Sequence, residues 1–226
     1  MSQRNFAITG GFGTLGRAVG EAALAAGARV ALIDAAPDAR DPPAGALLLA
    51  GTDLTSETAA AEAFDRIAAG LGGLDVLVNV AGGFIWQTVE AGPLGEWEWM
   101  FRLNTLTCAV ACRAAMPHLL ASKSGRIVNV GANGAVRAAA GMGAYAASKA
   151  GVHRLTESLA EELKGRVTVN AVLPSIIDTP ANRADMPQAD PSLWATPDEV
   201  AQAILWLASE AASGVTGALL PVVGRL

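Results

Sequence analysis

Short apolar runs alternate along the chain with longer Ala- and Leu-rich segments, the rhythm of strands laid between helices. The apolar runs predict strands over Asn5–Thr9, Arg29–Asp34, Ala46–Ala50, Val76–Asn79, Arg126–Val130, Val167–Leu173 and Leu219–Val223. The segments between them predict helices over Thr14–Ala26, Ser56–Ala69, Leu94–Ala121, Ala144–Lys164 and Thr196–Ser209. Gly27 is placed to end the first helix in a left-handed conformation. Thr196 and Pro197 read as the N-cap and first turn of the last. Such alternation implies an α/β fold: a single doubly wound (Rossmann-type) domain over residues 1–226, with a seven-stranded parallel sheet flanked by helices.

One stretch breaks the rhythm. Between Pro174 and Ala195 the chain carries Pro174, Pro180, Pro187 and Pro191 among acidic and amide residues. It follows the sixth strand, at the carboxyl edge of the sheet where doubly wound folds bind ligands. A long irregular segment there is expected to be a substrate lid, over residues 174–195.

Composition narrows the class of protein. The chain has 226 residues, 52% apolar and 16% charged, enough to cover a sheet on both faces. A net charge of −5 with no run of Lys or Arg excludes a nucleic-acid footprint, and a small-molecule substrate is expected instead. No apolar stretch has the length of a membrane span. After Arg4-Asn5 only Phe6-Ala7-Ile8 precede a glycine cluster, too short for the core of a secretory signal. Cys108 and Cys112 rule out a disulfide framework, and a cytoplasmic enzyme is the expectation. The two cysteines share one helical face with no histidine close by, so they read as core or interface residues, and no metal set is expected.

The chemistry begins at Thr9-Gly10-Gly11-Phe12-Gly13-Thr14-Leu15-Gly16, joining the first strand to the first helix. Gly10 permits a tight turn, Gly13 lets backbone approach a pyrophosphate, and Gly16 allows helix and strand to pack closely. Thr14 and Leu15 complete the loop, whose helix presents free N–H groups to phosphate. Asp34 closes the second strand, where a carboxylate accepts hydrogen bonds from the ribose hydroxyls and repels a 2′-phosphate. No Arg or Lys lies in the loop, so NAD(H) is preferred and NADP(H) is not excluded. Tyr145, the only tyrosine, stands four residues before Lys149 and shares its helix face. An ammonium beside a phenol favours the phenolate, which suits a proton donor or acceptor working near neutral pH.

In order and spacing, Thr9–Gly16, Asp34, Asp53-Leu54, Asn79-Val80-Ala81-Gly82, Asn104 and Tyr145-Ala146-Ala147-Ser148-Lys149 resemble the short-chain dehydrogenase/reductase family, as does Val215-Thr216-Gly217 near the end. The resemblance implies that Tyr145 exchanges the proton and Lys149 binds the nicotinamide ribose and lowers the tyrosine pKa. It implies that Asn104 holds a relay water, that Asp53 meets the adenine, and that Asn79–Gly82 form the turn beside the cofactor. Thr179 resembles the residue at the nicotinamide amide, with Pro174 and Ile177 at the same end of the cofactor. A homodimer or homotetramer through the helices bearing Asn104 and Tyr145 is also implied. Two departures stand out: the glycine spacing looks like the extended branch of the family, and Ala132 occupies the place of the serine that polarises the substrate carbonyl, thirteen residues before Tyr145.

Gly131-Ala132, Gly141-Met142-Gly143-Ala144-Tyr145 and the lid from Leu173-Pro174 through Asp178-Thr179-Pro180-Ala181-Asn182-Arg183 to Met186-Pro187-Gln188-Ala189-Asp190 are similar to the dihydropteridine reductase branch. That branch also lacks the serine, prefers NADH and reduces quinonoid dihydropterins. The expected activity is therefore hydride transfer from NADH to an activated C=N or C=O group. Phe84, Trp86, Ala132 and Asn133 are expected at the substrate. The alternatives are an ordinary alcohol or ketone dehydrogenase, with Asn133 standing in for the serine, and a catalytically weak NAD-binding protein with a sensing or structural role. Trp97 and Trp99 read as packing residues, His118 and His153 as helix-surface or subunit-contact residues.

Overall fold

The computed structural model describes residues 3–226. Its strands are β1 (Asn5–Thr9), β2 (Arg29–Ile33), β3 (Leu47–Leu49), β4 (Val76–Asn79), β5 (Gly125–Val130), β6 (Val167–Pro174) and β7 (Leu219–Val222). They form one seven-stranded sheet in the order β3-β2-β1-β4-β5-β6-β7, every neighbouring pair parallel. The helices are α1 (Thr14–Ala25), α2 (Glu57–Leu71), α3 (Gly95–Met100), α4 (Thr107–Ala121), α5 (Gly143–Glu162), α6 (Pro180–Asp185) and α7 (Pro197–Ala208).

The period-two pattern of the strands sorts the core into two layers. Phe6, Ile8, Val30, Leu32, Val76, Val78 and Val128 pack against Leu15 and Val19 of α1 and Val200, Ile204 and Leu207 of α7. Ala7, Ala31, Ile33, Leu77 and Ile127 face the other way, onto Phe64 and Ile67 of α2, Ala111 and Leu119 of α4, and Val152 of α5. Each fully buried Leu, Ile or Phe contributes about 1.5–3 kcal/mol, so both layers are needed to offset the ordering of the chain. Pro221 is tolerated in β7 because that strand lies at the edge of the sheet.

Local signals end the elements where the sequence places them. Gly27 has φ +82° just past α1. Thr196 accepts from the Glu199 N–H, and the Glu199 carboxylate accepts from the Thr196 N–H in return, a capping box at α7.

The predicted helix over Leu94–Ala121 is corrected. It is α3, then a π-helical turn over Phe101–Leu106, then α4. Hydrogen bonding across the turn widens to i→i+5, which inserts a residue and re-aims Asn104. The strand order turns back between β1 and β4, so the loops leaving those two strands part and open a crevice at the carboxyl edge of the sheet.

Candidate active site

The crevice is a cleft of about 360 Å³ lined on one side by Gly10, Gly13, Leu15 and Gly16, and on the other by Val80, Ala81 and Gly82. Asp34, Asp53 and Leu54 border it as well. Two of these glycines leave no room for a side chain: a Cβ on Gly16 would lie 2.1 Å from the Gly10 carbonyl oxygen, and one on Gly10, at φ +63°, 2.8 Å from the Ala81 nitrogen. Gly13, the N-cap of α1, has no side chain to satisfy the first-turn amides. They are left for phosphate oxygens. Across the crevice, the Thr9 hydroxyl accepts from the Val80 and Ala81 N–H groups at 3.1 and 3.2 Å, which fixes the opposite wall.

Asp34 stands at the end of β2 with one carboxylate oxygen on the Phe12 N–H and the other on the Ala36 N–H, each at 3.0 Å. These bonds aim the carboxylate and leave lone pairs for vicinal hydroxyls. Asp53 is held below the usual carboxylate range by the backbone N–H and hydroxyl of Thr55. A glycine-floored cleft with free helix amides at one end and a fixed carboxylate at the other fits a dinucleotide.

Asn104, on the π-helical turn, is buried and uses both ends of its amide. Oδ1 accepts from the Gly83 N–H at 2.9 Å, while Nδ2 donates to the Gly83 carbonyl at 3.1 Å and to Ser148 Oγ at 2.9 Å. Ser148 Oγ in turn donates to the Tyr145 carbonyl at 2.7 Å. Asn104 thus ties the loop after β4 to the helix that carries Tyr145 and Lys149. Gly82 permits the convergence, because a Cβ there would lie 2.4 Å from Asn104 Oδ1 and 3.2 Å from Lys149 Nζ. Nothing in the sequence pattern signalled Ser148 beyond its place beside Lys149.

Lys149 is buried, and its Nζ donates to the Val130 carbonyl at 2.8 Å. Burial lowers its pKa to about 8. Tyr145 packs edge-on against Phe84, with ring centroids 4.9 Å apart, and burial raises its pKa to about 12. Desolvation sets this direction in the free protein, and the Lys149 ammonium, expected to lower the phenol's pKa, gives its hydrogen bond to a backbone carbonyl.

Phe84 and Trp86, expected at the substrate, are 55% and 61% exposed. Trp86 Nε1 donates to the Ala140 carbonyl at 3.1 Å and its ring lies over Gly141. Ala132 is buried two residues beyond β5, and Asn133 begins the half-exposed turn that follows. Pro174 ends β6, Ile177 bridges to Ala195, and Thr179 caps α6 by accepting from the Asn182 N–H.

Three expectations are corrected here. Asn79, expected at the cofactor, turns its amide into the sheet, donating to Asn129 Oδ1 at 2.9 Å and to Cys112 Sγ, so it braces β4 against β5 instead. Trp99, expected to pack, is half-exposed, whereas Trp97 lies over Gly143. His153, expected on the helix surface or at a subunit contact, is only 3% exposed, because Gly131 leaves room for its ring. Its spacing of four from Lys149 was the signal that placed it on the site's face.

Fold and site together define a nicotinamide-dependent oxidoreductase. A family model described as short chain dehydrogenase matches residues 4–190, and the chain belongs to the short-chain dehydrogenase/reductase family, whose members are NAD(P)-dependent. The cis-4-hydroxycyclohexanecarboxylate dehydrogenase of Sinomonas cyclohexanicum is 37% identical, over 99% of this chain and 96% of its own. The D-threitol dehydrogenase of Mycolicibacterium smegmatis is 32% identical, over 96% of this chain and 90% of its own. Among solved structures, the ligand-free aldohexose dehydrogenase of Thermoplasma acidophilum superposes with a TM-score of 0.88 at 30% identity, covering 99% of this chain and 94% of that one. No helix among the described residues is long and apolar enough to cross a membrane.

Proposed function

We propose that this enzyme uses NADH to reduce an electron-poor C=N or C=O acceptor, with quinonoid dihydropterins in that class. The observation that carries the reading is that Asn104 is tied through Ser148 Oγ to the Tyr145 backbone carbonyl, with Lys149 Nζ held on the Val130 carbonyl, while Ala132, two residues beyond β5, has no hydroxyl. An alkoxide forming from a simple ketone calls for two hydrogen-bond donors. An acceptor already short of electrons needs one.

When bound, the dinucleotide supplies the hydride. Gly10, Gly13, Thr14, Leu15 and Gly16 cradle its phosphates, Asp34 holds the adenosine ribose, Asp53 and Leu54 flank the adenine, and Ala81 and Gly82 line the opposite wall. Pro174, Ile177 and Thr179 serve its nicotinamide end. Tyr145 Oη would hold and deliver the proton for the acceptor heteroatom, and the Lys149 ammonium would compensate the phenolate that results. Asn104 keeps the loop before Phe84 in register with Tyr145 through Ser148.

Residues 1–226 act as one unit, and the segment 174–195 serves as the substrate lid. Its feet are joined by the Asp178 N–H to Ala195 carbonyl bond at 2.8 Å and the Ala195 N–H to Ile176 carbonyl bond at 3.0 Å. Surface loops whose ends are held close are frequently functional. Free, buried Cys108 and Cys112 support a reducing, cytoplasmic setting, and half-exposed Trp99 and Phe101 beside α4 support a homodimer or homotetramer.

The relatives' names favour a second reading, an alcohol or ketone dehydrogenase in which Asn133 supplies the missing donor. One experiment separates the two. NADH oxidation is followed against quinonoid dihydropterins, quinones, imines, aldehydes and unactivated ketones. The first reading expects turnover concentrated in the electron-poor acceptors, and ketones turned over equally well would decide for the second.

Cofactor choice follows from Asp34. A like charge at about 4 Å costs about 4 kcal/mol near a protein surface, and 1.4 kcal/mol is already tenfold, so kcat/KM for NADH should exceed that for NADPH by more than about tenfold. Asp34→Ser should bring the ratio towards one. A wild-type enzyme that prefers NADPH would show that Asp34 does not meet the ribose.

A further inference from the structure

The end of β5 is pinned to α5 at two points one helical turn apart. Lys149 Nζ donates to the Val130 carbonyl, and the Ala132 N–H donates to His153 Nε2 at 3.3 Å. The second pin requires the histidine to be an acceptor at Nε2, so its proton sits on Nδ1. It also requires Gly131: a Cβ there would lie 2.6 Å from both His153 Nε2 and Leu173 Cδ2. A glycine and a buried histidine therefore occupy one shared space beneath the position where the acceptor's polarising group would stand.

We propose that His153 is a positioning residue of the acceptor side, its neutral imidazole fixing the Ala132 amide and so the backbone that borders the reacting atom of the substrate. Ala132 has no side-chain polar group through which substrate could order this turn, so its placement rests on backbone bonds: its N–H to His153, its carbonyl to the Ala135 N–H at 3.1 Å and the Gly131 N–H to the Val172 carbonyl at 2.9 Å. Protonation would remove the acceptor and set a second cation four residues from Lys149. The charged groups bearing on the ring are Lys149 and Arg154, both cationic and both on α5. From β5 it meets the uncharged Gly131–Ala132 backbone, and from β6 Leu173 borders the same space. Burial, then these two cations, hold its pKa below the usual histidine value. The bond is accordingly intact at neutral pH and is lost as pH falls.

The proposal rests on the reductase reading for its kinetic readout, and a readout without turnover accompanies it. In the unaltered protein, the ¹⁵N–¹H resonance of Ala132 should shift with the titration of the His153 ring, at a midpoint below about 6.5. The acid limb of kcat/KM for the best acceptor of the screen should share that midpoint. His153→Gln keeps an acceptor oxygen that does not protonate in this range, so it should retain activity at pH 7.5 and lose the acid limb. His153→Leu should lower acceptor kcat/KM by about tenfold or more, since small displacements at a reacting centre are costly, with the Kd for NADH unchanged. An Ala132 amide indifferent to the His153 titration would overturn the proposal, as would His153→Leu with wild-type kcat/KM. If no acceptor turns over, the function proposed above fails while the amide titration still decides for or against His153.

Discussion

Tyr145→Phe should lower turnover about 10²–10⁴-fold while NADH binding, read by fluorescence titration, is preserved. The substitution keeps the ring that meets Phe84 edge-on and removes only Oη, which has no hydrogen-bond partner in the protein among the described residues. Folding stability should therefore hardly change, which separates loss of chemistry from loss of fold. The pH dependence carries its own sign. Tyr145, with its pKa up to about 12, is protonated throughout the physiological range and ready to donate. Lys149, with its pKa down to about 8, is the group that titrates. Reduction should slow as pH rises through about 8, because the ammonium that compensates the phenolate is lost. Near-normal turnover of Tyr145→Phe would remove Tyr145 from the reaction.

Ala132→Ser should raise activity on unactivated ketones with no matching gain on electron-poor acceptors. Loss of one oxyanion donor costs about 10²–10³-fold, which sets the largest gain the hydroxyl can bring. Ala132 has an extended backbone, and its N–H is already engaged by His153, so the change adds an oxygen without disturbing the turn. Steady-state kcat/KM is compared for both enzymes on one ketone and one electron-poor acceptor. An equal gain on both would mean that the serine acts on substrate binding in general. Efficient ketone turnover by the wild-type enzyme would mean that Asn133 or an ordered water already fills the place.

What the amino-acid sequence determined by itself is the part of this protein that depends on near neighbours. Period-two apolar runs became strands within a residue or two of their expected ends, and the glycines of residues 10–16 made the turn their missing Cβ atoms allow. Thr196 with Glu199 closed a capping box, and the four-residue spacing put Tyr145 and Lys149 on one face of α5. The capping box and the helical spacing are settled by groups within about a turn of one another, whereas Gly10 is also confined by Ala81. Only the tertiary structure decided the rest. The helical pattern over Leu94–Ala121 is uninterrupted, yet the π-helical turn appears where Asn104 bonds to Gly83 and Ser148, 21 and 44 residues away. Asn79 faces inward because Asn129, on the next strand, offers it an acceptor. His153 has the polarity of a surface residue and is buried because Gly131, on another element, leaves it room. Even the direction of the Tyr145 shift is set by burial. Periodicity encodes which way a side chain points along its own element, while burial and hydrogen-bond partners belong to the elements packed against it.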